Sequence, residues 1–240
     1  MTTLTPPHAR SQFFARSAIV MAVMAISSFP FTYLMPWTTG SRHFVVLHHI
    51  HGLAFFAWLA LYVWQTRLAA SGRTARHREI GLAALMVSGA MIPLGWWLTL
   101  YAVRARMERG AGRPFEFALY NIVDLSLFAL AIIAAVLTVT RKIDWHRRFM
   151  FAAALNLLGA AVSRWFMPLP VWPPVTDFGP NILADLFLIA LAVHDRKTLG
   201  RIHPATIIAA LAMVPLHLAE PWIASSEWWN QIAPAMLNFD

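Results

Sequence analysis

Apolar residues run along this chain in blocks of roughly twenty, separated by short segments rich in Arg, Gly and Pro. A helix needs a block of that length to cross about 30 Å of hydrocarbon. The blocks predict an all-α polytopic membrane protein with seven transmembrane helices, at about 17–36, 44–66, 80–103, 117–140, 149–167, 179–194 and 204–220. They form one N-terminal helix followed by three helical hairpins. Residues 1–16 then make a cytoplasmic N-terminal segment, 17–220 the transmembrane domain, and 221–240 an external Trp-rich segment. Pro36, the Gly110–Pro114 stretch and the Pro168–Pro180 loop punctuate the spans. Pro30, Pro93 and Pro215 lie inside spans and predict kinks, because neighbouring groups and water satisfy the carbonyls they free. The sixth span is short, as a tilted or partly interfacial segment would be.

Basic residues orient the bundle. Thirteen of the 19 Lys and Arg fall in the N-terminal segment and in the loops after helices 2, 4 and 6; the other six are Arg42, Arg104, Arg106, Arg109, Arg113 and Arg164. By the positive-inside rule the N-terminus is cytoplasmic and the C-terminus external. Trp37, Trp96, Trp97, Tyr101, Trp165, Trp172, Trp222, Trp228 and Trp229 gather toward the opposite side, where indoles suit a headgroup layer. The first apolar run lacks a signal-peptide cleavage pattern and reads as a retained anchor.

Composition narrows the function classes. At 59% hydrophobic and 12% charged, with mean hydropathy +0.58, the chain excludes a soluble enzyme, a coiled coil and a disordered tail. The net charge of +8 sits in short loops, so it is a topology signal with no nucleic-acid partner implied. No cysteine is present, which removes thiolate metal sites and Cys nucleophiles. The only lysines, Lys142 and Lys197, lie in or beside loops, so no span offers a Schiff-base amine. No phosphate-binding glycine loop or nucleophile elbow is found.

Charged groups inside spans are costly and call for an explanation. His48 and His51 share a face of helix 2, with Tyr62 and Gln65 farther along the same stripe and His49 pointing away. Helix 4 carries Asn121 and Asp124, helix 6 Asn181 and Asp185, helix 5 Ser163 and Arg164, and helix 7 His217. At 1.5 Å per residue, the ionisable members fall ~3–12 Å from the external ends of their helices, in one outer-leaflet layer. The inner half has no comparable cluster, with Asn156 and Gln65 nearly alone.

Imidazoles and carboxylates at one depth are ligands for Zn²⁺ or non-haem iron, and His48, His51, Asp124 and Asp185 are the candidate metal set. Asp124, Asp185 and Arg164 are the candidate catalytic groups, with Arg164 the expected charge partner of Asp124 or Asp185. His51 and His217 could instead bracket a b-type haem, Gly52 giving the macrocycle room. Either cofactor would act on a lipid-soluble substrate or an electron carrier such as a quinone, among membrane lipids. Two other classes stay open: a proton-coupled transporter or solute-binding protein using the same charges, and an accessory subunit of a membrane complex.

The loops GRTARHREIG (72–81), RKIDWHRRFM (141–150) and DRKTLGRIHPA (195–205) repeat one pattern, a basic turn followed by His-Arg or His-Pro. It reads as a topological device in which Asp144 and Asp195 pair with neighbouring arginines, or as a ring of His77, His146, His194 and His203. With the HHIHG start of helix 2 and the Asp124 and Asp185 positions, these loops resemble a family of multi-pass bacterial inner-membrane proteins. The resemblance implies a multi-helix bundle in a bacterial inner membrane and supplies no activity. Seven-helix zinc hydrolases of the adiponectin-receptor and alkaline ceramidase type share the architecture but pair histidines in the last helix, where this chain has only His217. Cytochrome b561-like proteins are similar in placing His near helix ends.

Overall fold

A computed structural model describes residues 7–167 and 173–239, with side chains from 12–167 and 175–239. All regular elements of the described chain are helical: α1 (Pro7–Ser27), a π-helical turn (Pro30–Leu34), α2 (Met35–Thr38), α3 (Val46–Ala70), α4 (Thr74–Glu108), α5 (Glu116–Thr138), α6 (Ile143–Phe166), α7 (Pro173–Leu199), α8 (Pro204–Ala224) and α9 (Glu227–Met236). Seven helices are long and apolar enough to cross a membrane: α1 with its extension to Thr38, and α3 to α8. The protein is a multi-pass, all-α membrane protein.

Several boundaries move outward from the expected ones. The sixth span is not short, since α7 has 27 residues and starts at Pro173, with Pro180 inside it. The first turn of a helix needs no backbone donors from its prolines, so much of the proline-rich loop becomes helix. Pro30 opens a π-helical turn where a kink was expected, while Pro93 and Pro215 lie within unbroken helices. The C-terminal segment is not a free tail. It forms α9, capped by the Ser226 hydroxyl accepting from Trp229 N–H, and the Trp229 indole donates to Phe115 O at 2.9 Å. Trp229 is therefore buried and does not belong to the interfacial belt, whereas Trp37, Trp97, Trp222 and Trp228 are exposed. Trp172 and Pro168 lie outside the described residues.

Helix α6 is the axis of the bundle, with α1, α5, α7 and α8 packed around it. Its run Ala152–Ala153–Ala154, with Gly159 and Ala161, keeps one helix thin enough for four neighbours to approach closely. The outer helices turn Leu53, Met86, Leu137 and Leu211 outward, as lipid-facing surfaces do. Met21 and Phe55 are buried packing residues. Turns at Gly72, Gly110 and Gly200 use positive φ to stop α3, α4 and α7, the left-handed conformation that a side chain disfavours.

On the basic face, Arg148 of α6 reaches Asp195 of α7 through Nε (3.1 and 3.2 Å) and Nη2, both residues fully buried. Asp195 also accepts from Thr206 Oγ1 and from His203 N–H at 3.1 Å. The expected partner of Asp195 was an arginine of its own loop. The lock runs instead between two loops and ties α6, α7 and α8 together. Asp144 does pair locally, with Arg147.

Candidate functional site

The half of the bundle opposite the basic face holds the polar groups expected there, in a specific wiring. Antiparallel α7 and α8 are joined by two rungs about one turn apart. Asn181 Nδ2 donates to Glu220 Oε2 at 2.8 Å, and His217 Nδ1 lies 3.0 and 3.1 Å from the Asp185 oxygens. The i,i+4 spacing of Asn181 and Asp185 and the i,i+3 spacing of His217 and Glu220 make this pairing possible. Because a carboxylate accepts, His217 carries its proton on Nδ1 and presents Nε2 as a lone pair when neutral. That Nε2 is buried and makes no hydrogen bond; the same holds for Glu220 Oε1 and Asp124 Oδ1. His217 is thus a core residue, 2% exposed, and does not reach toward the interface.

Beside this cluster lies a cavity of about 420 Å³ lined by His51, Asn121, Asp124, Asn156, Arg164 and Asn181, with Phe29, Phe55, Met91 and Phe117 among its apolar walls. Arg164 does not pair with Asp124 or Asp185, contrary to expectation. It forms no ion pair with any described residue; Nη1 donates to Ala160 O at 2.7 Å, and the guanidinium sits 4.4 Å from the Phe29 ring centroid. Asp185 is taken by His217, and the carboxylate of Asp124 is left without a hydrogen bond at Oδ1. Asp124 lies within electrostatic reach of His217, Asp185 and Glu220.

The proposed metal set is not gathered. Among the described residues, no group of three or more His, Asp or Glu is arranged to hold a metal ion. His51 lines the cavity, whereas His48 sits against the rings of Phe44 and Tyr101 at 5.5 and 5.4 Å. Asp185 and His217 belong to the rungs behind the wall, so His51 and His217 do not both line the cavity as a haem would require. Gly52 does line it, and a Cβ there would meet nothing within 4 Å. His49 accepts or donates a hydrogen bond at Tyr33 OH, away from the cavity, as its helix phase predicts.

Glu220 was missed by sequence reasoning because it falls at the end of the last expected span. Its signal was an acid one turn beyond His217, the same short spacing that marks the other site pairs. The loop histidines also form no ring. His77 and His146 are neighbours with ring centroids 6.4 Å apart, His194 stacks on Phe13 at 4.1 Å, and His203 caps α8 and touches Trp145.

Comparison of the chain with protein-family models, with curated proteins and with solved structures found no match.

Proposed function

We propose that this protein binds an amphiphilic solute with an anionic head, a carboxylate or phosphate, in the outer-leaflet cavity of a bacterial inner membrane, and couples binding to proton exchange. One observation carries the reading: Arg164 lines a cavity inside a membrane helix bundle and, although Asp124 and Asp177 line the same cavity, it forms no ion pair with any described residue. A cation removed from water costs several kcal/mol unless an anion compensates it. Since none of Asp124, Asp177 and Asp185 forms an ion pair with it, the compensating group comes with the ligand. Phe29, Phe55, Met91 and Phe117 take its apolar part. Asp124, Glu220 and the Asp185–His217 pair supply buried atoms that gain or lose a proton as the charge arrives. This favours the solute-binding, proton-coupled class over hydrolysis.

The test is thermal unfolding of the purified protein in a non-ionic detergent with decanoate, a short lysophosphatidate, decylubiquinone or decanol. An anionic amphiphile raises the midpoint for the native chain, and Arg164→Met removes the shift. Stabilisation by decylubiquinone alone replaces the anion with a quinone, and stabilisation by decanol as strong as by decanoate removes the reading.

A metal remains the second reading, favoured by the Asp185–His217 pair. A carboxylate on Nδ1 with a free Nε2 is how ligating histidines are oriented. The donors present do not complete a ligand set. Stoichiometric zinc or iron in protein purified without added metal or chelator would decide for it.

A further inference from the structure

The inner half of the bundle, which the sequence presents as nearly empty of polar groups, holds buried polar atoms left without partners among the described residues. Tyr62 and Gln65 stand one turn apart on α3, 3% and 8% exposed. Tyr62 OH and both polar atoms of the Gln65 amide are buried and make no hydrogen bond among the described residues. This is not how the neighbourhood treats polar groups in general. Trp58, one turn earlier, donates its indole N–H to Ser88 Oγ at 2.7 Å. A buried polar group without a partner costs about 1–3 kcal/mol, and a bound water is the usual way for such a group to be satisfied.

Gln65 leads directly to the basic face. Its backbone carbonyl accepts from His77 Nδ1 at 3.2 Å, and Ala135 O accepts from His146 Nδ1 at 2.9 Å. Carbonyls only accept, so both rings carry hydrogen on Nδ1 and present Nε2. Each histidine is the fourth residue of its helix and bonds the last turns of the helix before it, so two hairpins bring equivalent imidazoles together. At the other end, Asn156 lines the outer cavity with Asp124; it is 1% exposed and its Oδ1 is unbonded. Counting 1.5 Å per residue from the basic-face ends of their helices, Gln65 lies ~8 Å deep, Tyr62 ~12 Å, Asn156 ~20 Å and Asp124 ~21 Å. The largest difference in depth, about 8 Å, is one that two waters at ordinary O···O spacing would span along the bundle axis.

We infer that a water-bridged proton path crosses the bundle from Asp124 in the outer cavity through Asn156, Tyr62 and Gln65 to the His77–His146 pair on the basic face. A proton leaves the Asp124 carboxyl to the first water; the waters and the Tyr62 hydroxyl each accept one proton and pass on another, while the Asn156 and Gln65 amides, whose oxygens carry no proton, hold those waters in line; an imidazole Nε2 receives the last proton and releases it to the aqueous phase. One proton moves, and no other bond changes. The path stands whether or not an anion occupies the Arg164 site, and with such an anion it is the route by which binding outside is coupled to the inner face.

The full chain, reconstituted in vesicles with a trapped pH dye and driven by a valinomycin-clamped potassium gradient, tests it. The native protein conducts protons above protein-free vesicles, Gln65→Leu and Tyr62→Phe bring the flux back to that level, and Ser88→Ala leaves it unchanged. Native flux equal to protein-free vesicles, or flux that survives Gln65→Leu, overturns the path. Hydroxyl-radical footprinting of the native protein guards against misfolded variants: Tyr62 is oxidised by its bound water while the equally buried Phe128 is not, and equal protection of the two also overturns it. Retained decanoate binding by Gln65→Leu separates failure of the path from failure of the anion site.

Discussion

His217 Nδ1 lies 3.0 Å from Asp185 Oδ1, joining α8 to α7 in the half of the bundle opposite the basic face. Asp185 is thereby engaged by His217 and not by Arg164. Arg164, by contrast, forms no ion pair with any described residue and lines the cavity beside this pair.

Asp185→Asn separates the charge of this pair from its geometry. The amide oxygen still accepts from His217 Nδ1–H, so the unfolding midpoint stays near the native value while proton release on anion binding is lost. Asp185→Ala leaves the Nδ1–H unsatisfied and costs about 1–3 kcal/mol. Thermal unfolding and proton release in unbuffered detergent solution check the two together.

Arg164→Met should trade function for stability. A desolvated cation with no ion pair among the described residues is replaced by an apolar side chain of similar length, so the midpoint in detergent rises above that of the ligand-free native chain. A midpoint lower than native would show that Arg164 is already compensated.

The Arg148–Asp195 lock behaves in the opposite way. Asp195→Ala strands a buried guanidinium and costs about 3–5 kcal/mol. The double variant Arg148→Leu with Asp195→Leu recovers most of that loss, as denaturation of the single and double variants will show.

Gly159 is the contact point between α6 and Asn181. A Cβ there would meet Asn181 Oδ1 at 2.5 Å, so Gly159→Ala pushes Asn181 off Glu220 and costs about 1–3 kcal/mol of overpacking. Gly52→Ala, with open space around its Cβ, leaves stability unchanged.

His203 gives the fold an acid limit. Its Nδ1 accepts from Ala205 N–H as the cap of α8, and burial, aided by Arg148, lowers its pKa from 6.5 to about 4. The unfolded chain therefore takes up a proton before the native one does. Stability from this group is full above pH 6.5 and is lost as pH falls from there toward 4. His203→Asn keeps a capping acceptor without the titration, and its unfolding midpoint should change less between pH 7 and pH 5 than that of the native chain.

The seven spans, the basic face and the outer polar layer were legible in the chain because each depends on local runs: twenty apolar residues, short Arg-rich turns, and ionisable groups at a common distance from helix ends. Asp124, Asp185, Arg164, His51 and His217 were found by depth alone. Depth says nothing about azimuth or helix neighbours, and so it paired Arg164 with a carboxylate it does not meet and gathered four residues that form no metal-holding group among the described residues. Which side chain meets which was decided by the packing around α6, where small residues let α7 and α8 lie side by side and match Asp185 with His217 and Asn181 with Glu220. The same packing brings His77 to the carbonyl of Gln65 and to His146, residues far apart in sequence whose closeness no periodicity records. The physical reason is the solvent: lipid is as apolar as leucine, so burial from water fixes that a helix spans, while contacts between helices rest on close packing and on hydrogen bonds that only the assembled bundle brings within reach.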